Sequence, residues 1–118
     1  MDTLTEGLNV GDARKIDNSG FMPVYIENIG LTDRGPLFSI AHYYKQNGDL
    51  MKDPDMVFLK MNTKYYPVSF QQDGGAGFYQ EAVVIKQNRI TGYRPPILDE
   101  LVSFANGWMR NIKEQQEL

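Results

Sequence analysis

The sequence predicts an α+β domain, an antiparallel sheet of about five strands covered by one long C-terminal helix. Two observations carry that expectation. Between Phe21 and Lys86, segments rich in β-branched and aromatic residues alternate with short clusters of Asn, Asp and Gly, the pattern of strands and turns. Beyond Pro96 the apolar residues switch to helical spacing, Ile97, Leu101, Phe104, Ala105, Trp108 and Ile112, with Leu98, Val102 and Met109 widening the stripe. A sheet needs a cover for its apolar face, and no other stretch of the sequence is as strongly amphipathic at helical period.

Residues 1–19 have weak periodicity and close in Asp17-Asn18-Ser19-Gly20, a turn-forming cluster. They read as a loosely attached, flexible N-terminal arm with a short helical turn around Asp12–Ile16, and residues 20–118 as a single α+β domain. Phe21–Ile29 is the first strand, closed by Gly30; Pro23 cannot donate to a ladder, which suits a strand start or an edge. Pro36–Lys45 is the second, with Leu37, Ser39, Ala41 and Tyr43 on one side and Phe38, Ile40, His42 and Tyr44 on the other. A loop from Gln46 to Pro54 leads to a third strand, Met56–Met61. Asn62-Thr63-Lys64 turns the chain into a fourth, Tyr65–Gln71.

Asp73-Gly74-Gly75-Ala76-Gly77 precedes a fifth strand, Phe78–Lys86, which ends at Asn88-Arg89. Short connections between successive strands argue for an antiparallel meander. Tyr93-Arg94-Pro95-Pro96 breaks the strand pattern, and Pro96 suits the first turn of a helix. Asp99 and Glu100 near its start and Arg110 and Lys113 near its end complement the helix dipole. Gly107 inside that helix costs about 1 kcal/mol relative to alanine, which close approach of the helix to the sheet would explain.

The chain of 118 residues is one domain by length, enough to bury roughly two-thirds of its unfolded surface. Its acidic start lacks the basic and apolar regions of a secretory signal, and no apolar run approaches the roughly 18 residues that span a bilayer. The expectation is a cytoplasmic protein that does not enter the membrane. With no cysteine, disulfides, thiolate zinc sites and a cysteine nucleophile are excluded. A net charge of −3 and a pI of about 5.0 disfavour direct nucleic-acid binding, which runs on a basic excess. The same acidity suits docking onto the basic face of a nucleic-acid-binding protein.

The segment from Ala41 to Phe58 gathers the single histidine, two adjacent tyrosines, an Asn-Gly turn and Asp49, Asp53 and Asp55. The expected binding surface is therefore His42, Tyr44, Gln46, Asn47, Asp49, Asp53 and Asp55, joined from the fourth strand by Gln72 and Asp73. His42 with Asp49, Asp53 and Asp55 has the ingredients of a divalent-metal site, but the spacing matches no established ligand pattern. Asn47-Gly48-Asp49 and Asp53-Pro54-Asp55 read equally well as turns. No metal is assigned and no cofactor is expected. Tyr43, Tyr44, Tyr65, Tyr66 and Tyr79 could offer a stacking platform for bases, yet adjacent tyrosines point to opposite faces of a sheet. Residues 73–77 lack the Lys-Ser/Thr of a phosphate loop and open into a strand, so they read as a mobile hairpin tip. His42 near Gln71, Gln72, Asp73 and Glu81 lacks a nucleophile or a second base.

His42-Tyr43-Tyr44 followed by Gln46-Asn47-Gly48-Asp49-Leu50-Met51 and Asp53-Pro54-Asp55-Met56, then Tyr66-Pro67-Val68-Ser69-Phe70 with Gln72-Asp73, Tyr79-Gln80-Glu81-Ala82, and Phe104-Ala105 … Trp108-Met109-Arg110-Asn111-Ile112 … Glu114-Gln115 form a motif set. That set resembles an uncharacterised domain family encoded on bacterial mobile elements, plasmids and phages. The resemblance covers roughly residues 20 to 115. It implies a biological setting and no activity. The Gly-Gly-Ala-Gly stretch at residues 74–77 is longer than the family's usual turn.

Two functional readings follow. The first is a non-enzymatic accessory protein of a phage or mobile element that binds another protein, in one version a host defence nuclease that it inhibits. The alternative is a divalent-metal-dependent nucleic-acid-processing module built on His42, Asp49, Asp53, Asp55 and Glu81.

Overall fold

Six strands lie side by side in chain order, each antiparallel to the next, in a computed structural model that describes residues 1–18, 20–74 and 77–118. They are β1 (Ala13–Ile16), β2 (Val24–Leu31), β3 (Pro36–Gln46), β4 (Asp49–Met61), β5 (Lys64–Gln72) and β6 (Phe78–Glu81). A separate hairpin, β7 (Val83–Lys86) and β8 (Arg89–Tyr93), precedes the long helix α2 (Pro95–Gln115); a single turn, α1 (Asp2–Thr5), opens the chain. The α+β class and the meander are as the sequence predicts, with more strands than the expected five.

Alternation along the strands builds two cores. On one face Val24, Ile26, Ile40, Met56, Phe58 and Phe70 meet Leu101, Ala105, Trp108 and Ile112 of α2, with Leu4 of α1 added. The β7–β8 hairpin lies on the opposite face, where Val83, Ile85 and Ile90 cover Leu37, Val57, Leu59, Met61 and Val68. Each large apolar side chain enclosed this way contributes roughly 1.5–3 kcal/mol. The hairpin covers only part of its face, and the sheet beyond it, around Tyr25, Glu27, Ser39 and Tyr43, opens into a shallow cavity of about 470 Å³.

Four sequence expectations are corrected. Asp12–Ile16 holds no helical turn: Ala13–Ile16 is β1, paired with Val24–Glu27. The segment expected as an arm is thereby joined to the sheet, and Leu4 lies in the core; Ser19 of its closing cluster is outside the described residues. The loop expected from Gln46 to Pro54 is instead the end of a long β3–β4 hairpin, because Asn47 and Gly48 take φ of 54° and 84° and close a two-residue turn whose twist suits a hairpin. The expected strand Phe78–Lys86 breaks at Ala82, where the chain leaves the sheet as β7 and returns as β8 over a Gln87-Asn88 turn, both residues at positive φ. Finally, a Cβ at Gly107 would meet no neighbour within 4 Å, so close packing does not explain that glycine. Gly35 is the contrasting case: at φ 148°, an added Cβ would overlap the Lys60 carbonyl oxygen.

Candidate functional site

The base of the β3–β4 hairpin is tied to the end of β5 by a set of polar contacts. Ala41 pairs with Asp55 and Tyr43 with Lys52, so Asp53 and Pro54 together oppose His42 in a bulge that bends β4. The β4–β5 ladder ends at the Asp55–Gln71 pair, and Asp73 continues it. Its backbone N–H donates to the Lys52 carbonyl at 2.9 Å, and its carboxylate accepts from the Lys52 N–H at 2.9 Å and from the Gln71 side-chain amide at 3.2 Å. The Lys52 N–H, foremost, holds the Asp73 carboxyl below its ordinary pKa. Alongside, the Gln72 amide donates to Asp53 at 2.9 Å, and the Tyr44 hydroxyl reaches the Asp73 carbonyl at 3.5 Å.

Of the residues expected to form the site, Tyr44, Asp53, Gln72 and Asp73 are therefore brought together. Gln46, Asn47 and Asp49 stand exposed at the far end of the hairpin. His42 and Asp55 lie on opposite faces. The imidazole is buried under α2, with Nδ1–H donating to the Pro23 carbonyl at 2.9 Å and the ring edge-on to Trp108. Asp55 faces the other way, accepting from Ser39 Oγ at 2.7 Å with Lys52 Nζ at 3.8 Å. A serine, a histidine and an aspartate thus sit close in the sheet without forming a nucleophilic relay, because the sheet separates the histidine from the other two. Among the described residues no group of three or more His, Asp or Glu could hold a metal ion. The expected tip at residues 73–77 includes Gly75 and Ala76, which lie outside the described residues.

The tyrosines divide as alternation requires. Register places Tyr43, Tyr66 and Tyr79 on the hairpin face, and Tyr44 and Tyr65 on the helix face. Tyr43 meets Tyr25 edge-on at 5.3 Å; burial first, then the nearby Asp55 and Glu27 carboxylates, raise its hydroxyl pKa. The cavity beside Tyr43 carries Arg14, Lys15 and Glu27 on its wall, a mixed set of charges rather than a basic groove.

Sequence reading placed Phe78–Glu81 at the start of its fifth strand but missed that β6 ends there and follows β5 at the edge of the sheet. It is the last strand of the sheet, so among the described residues one side of its backbone has no strand partner. Phe78 (53% exposed) and Phe104 of α2 (43% exposed) both stand edge-on to the buried Phe70 ring, at 5.9 and 5.1 Å. Both rest on the one buried ring and form an aromatic ledge along this edge. Tyr79, 58% exposed, projects from the other side, its hydroxyl donating to Glu81 Oε2 at 3.3 Å. The signal available in sequence was Phe78-Tyr79-Gln80-Glu81 itself: two aromatics just after a glycine turn, with no Lys or Pro to blunt an edge.

Fold and site together define a small α+β protein whose helix-backed sheet ends in an open aromatic edge. The chain belongs to the family described as Domain of unknown function (DUF6908), whose model matches residues 2–118. No curated protein and no solved structure matches it. Among the described residues, no helix is long and apolar enough to cross a membrane.

Proposed function

We propose that this is a non-enzymatic accessory protein that acts by binding another protein. The observation that carries the reading is the ledge of Phe78 and Phe104, two phenylalanines left half in water on one supporting ring. Contiguous exposed aromatic surface of this kind marks interaction sites, and aromatic side chains dominate binding hot spots. The net charge of −3 favours a basic partner surface, such as that of a nucleic-acid-binding protein, and steers its approach. Motif resemblance to a family of mobile elements, plasmids and phages supplies the setting, and inhibition of a host defence nuclease is one concrete version. The metal-dependent alternative has no observation in its favour, since His42, Asp49, Asp55 and Glu81 are not gathered in one place.

The test is chemical cross-linking in extract of the native host, with the wild type and a Phe78→Ser/Phe104→Ser variant of matched melting temperature. One dominant partner, cross-linked by the wild type and lost with the variant, is the expected result. Equal capture by both would remove the ledge from the account. Metal-dependent cleavage of DNA or RNA by the pure protein, abolished by Asp53→Asn, would replace binding with catalysis.

A further inference from the structure

We infer that β6 receives an extended segment of the protein partner, which adds to the sheet as a further strand and carries alternating apolar and basic residues. This rests on the binding reading above and specifies its mode. The direction of each backbone group in β6 follows from one hydrogen bond. The Ala82 N–H donates to the Val68 carbonyl at 2.7 Å, so residues in phase with Ala82, namely Gln80 and Phe78, turn their N–H and C=O toward β5. The intervening Tyr79 and Glu81 turn theirs outward. The Glu81 carbonyl is occupied by the Arg94 guanidinium at 3.0 Å. That leaves the Tyr79 N–H and C=O and the Glu81 N–H as a row unpaired among the described residues, the template that strand addition uses.

The opposite edge is closed to the same event. Arg14 of β1 reaches back to the carbonyls of Leu4 at 2.9 Å and Glu6 at 2.6 Å, and its neighbour Lys15 is exposed; charged side chains of this kind oppose edge pairing. On β6 each flank specifies a residue type. Phe78 and Gln80 share the helix face, where an incoming apolar side chain would rest on Phe78 and Phe104. Tyr79 and Glu81 share the other face. There the exposed Tyr79 ring and the Glu81 carboxylate, bridged to Arg94 at 3.3 Å, suit basic side chains at the partner's alternate positions.

The probes are the synthetic peptide Lys-Val-Arg-Val-Lys-Val, its acidic counterpart Glu-Val-Glu-Val-Glu-Val, and two N-methylated forms of the basic peptide, methylated on one or the other alternate set of amides. The expected result is binding of the basic peptide alone, with slowed exchange of the Tyr79 amide. One methylation phase should weaken it tenfold or more while the other leaves it unchanged. Tyr79→Pro removes only an outward donor, which an edge strand tolerates, and should reduce binding by the same factor without lowering the melting temperature. Should that variant fail to fold, the comparison of methylation phases on the unchanged protein decides. Failure of the basic peptide to bind, or binding indifferent to methylation phase, overturns strand addition. So does a dimer of the free protein that Tyr79→Pro dissolves, since the edge would then belong to a second copy. A natural partner retained by Tyr79→Pro but lost by Phe104→Ser would sink strand addition and leave protein binding standing.

Discussion

His42 meets Trp108 edge to face, 5.5 Å between ring centres, while its Nδ1–H is held by the Pro23 carbonyl. The one histidine of the chain thus joins β3, the entry to β2 and α2, and it spends its polarity on structure. Trp108 is 8% exposed, so Trp108→Ala should cost about 3–5 kcal/mol, read as a lower midpoint in urea unfolding. A variant as stable as the wild type would mean that α2 does not seal the core.

Acidification should loosen the hairpin base before the rest of the fold. The folded-state pKa of Asp73 is depressed, so its contribution is complete above the ordinary aspartate value and fades as pH falls through the lower folded value. The window lies below about pH 4. Exchange of the Lys52 amide, which this carboxylate accepts, should accelerate there ahead of core amides. Asp73→Ala should give the same acceleration at neutral pH.

Two glycines should respond oppositely to alanine. Gly107→Ala adds a Cβ that meets nothing in the middle of α2 and should stabilise by about 1 kcal/mol. Gly35→Ala drives a Cβ into the Lys60 carbonyl at a φ that L-residues rarely adopt and should destabilise by more than 1 kcal/mol. Thermal melts of the two variants check both signs.

Replacing the ledge should separate binding from stability. Phe104→Ser removes a side chain that is nearly half exposed and should cost clearly less stability than Trp108→Ala, while weakening partner capture tenfold or more if Phe104 is a binding anchor. His42→Gln should do the reverse. It should lose about 1–3 kcal/mol by disturbing a buried hydrogen bond and leave capture intact once folded.

The central strands and α2 were legible because one face of each is buried, and burial imposes the period that sequence displays. Alternation alone also separated Tyr43 from Tyr44 and set His42 opposite Ser39 and Ala41. What it could not show was the partner of a short or polar strand. Ala13-Arg14-Lys15-Ile16 has no apolar alternation; β2 and the α1 carbonyls around Arg14 hold it as a strand. Asp49–Asp53 is acidic and poor in strand formers, yet the Asn47-Gly48 turn and the β3 ladder override propensity. Ala82 looks like one more apolar residue of a continuous strand, so the departure of β7 was invisible, and the paired aromatics Phe78-Tyr79 were the hint of an open edge. The expected site was visible as a cluster in sequence. Which of its members share a face depended on the bulge at Asp53-Pro54, a feature of register.

The most direct test of the account is residue-resolved amide hydrogen exchange along β6 in the free protein. The Phe78 and Gln80 amides, turned toward β5, should be protected, and the Tyr79 and Glu81 amides should exchange at close to the rate of solvent-exposed backbone. Protection of the Tyr79 amide equal to that of Gln80 would show that the edge is already paired, and would contradict the claim that this protein offers an open strand to its partner.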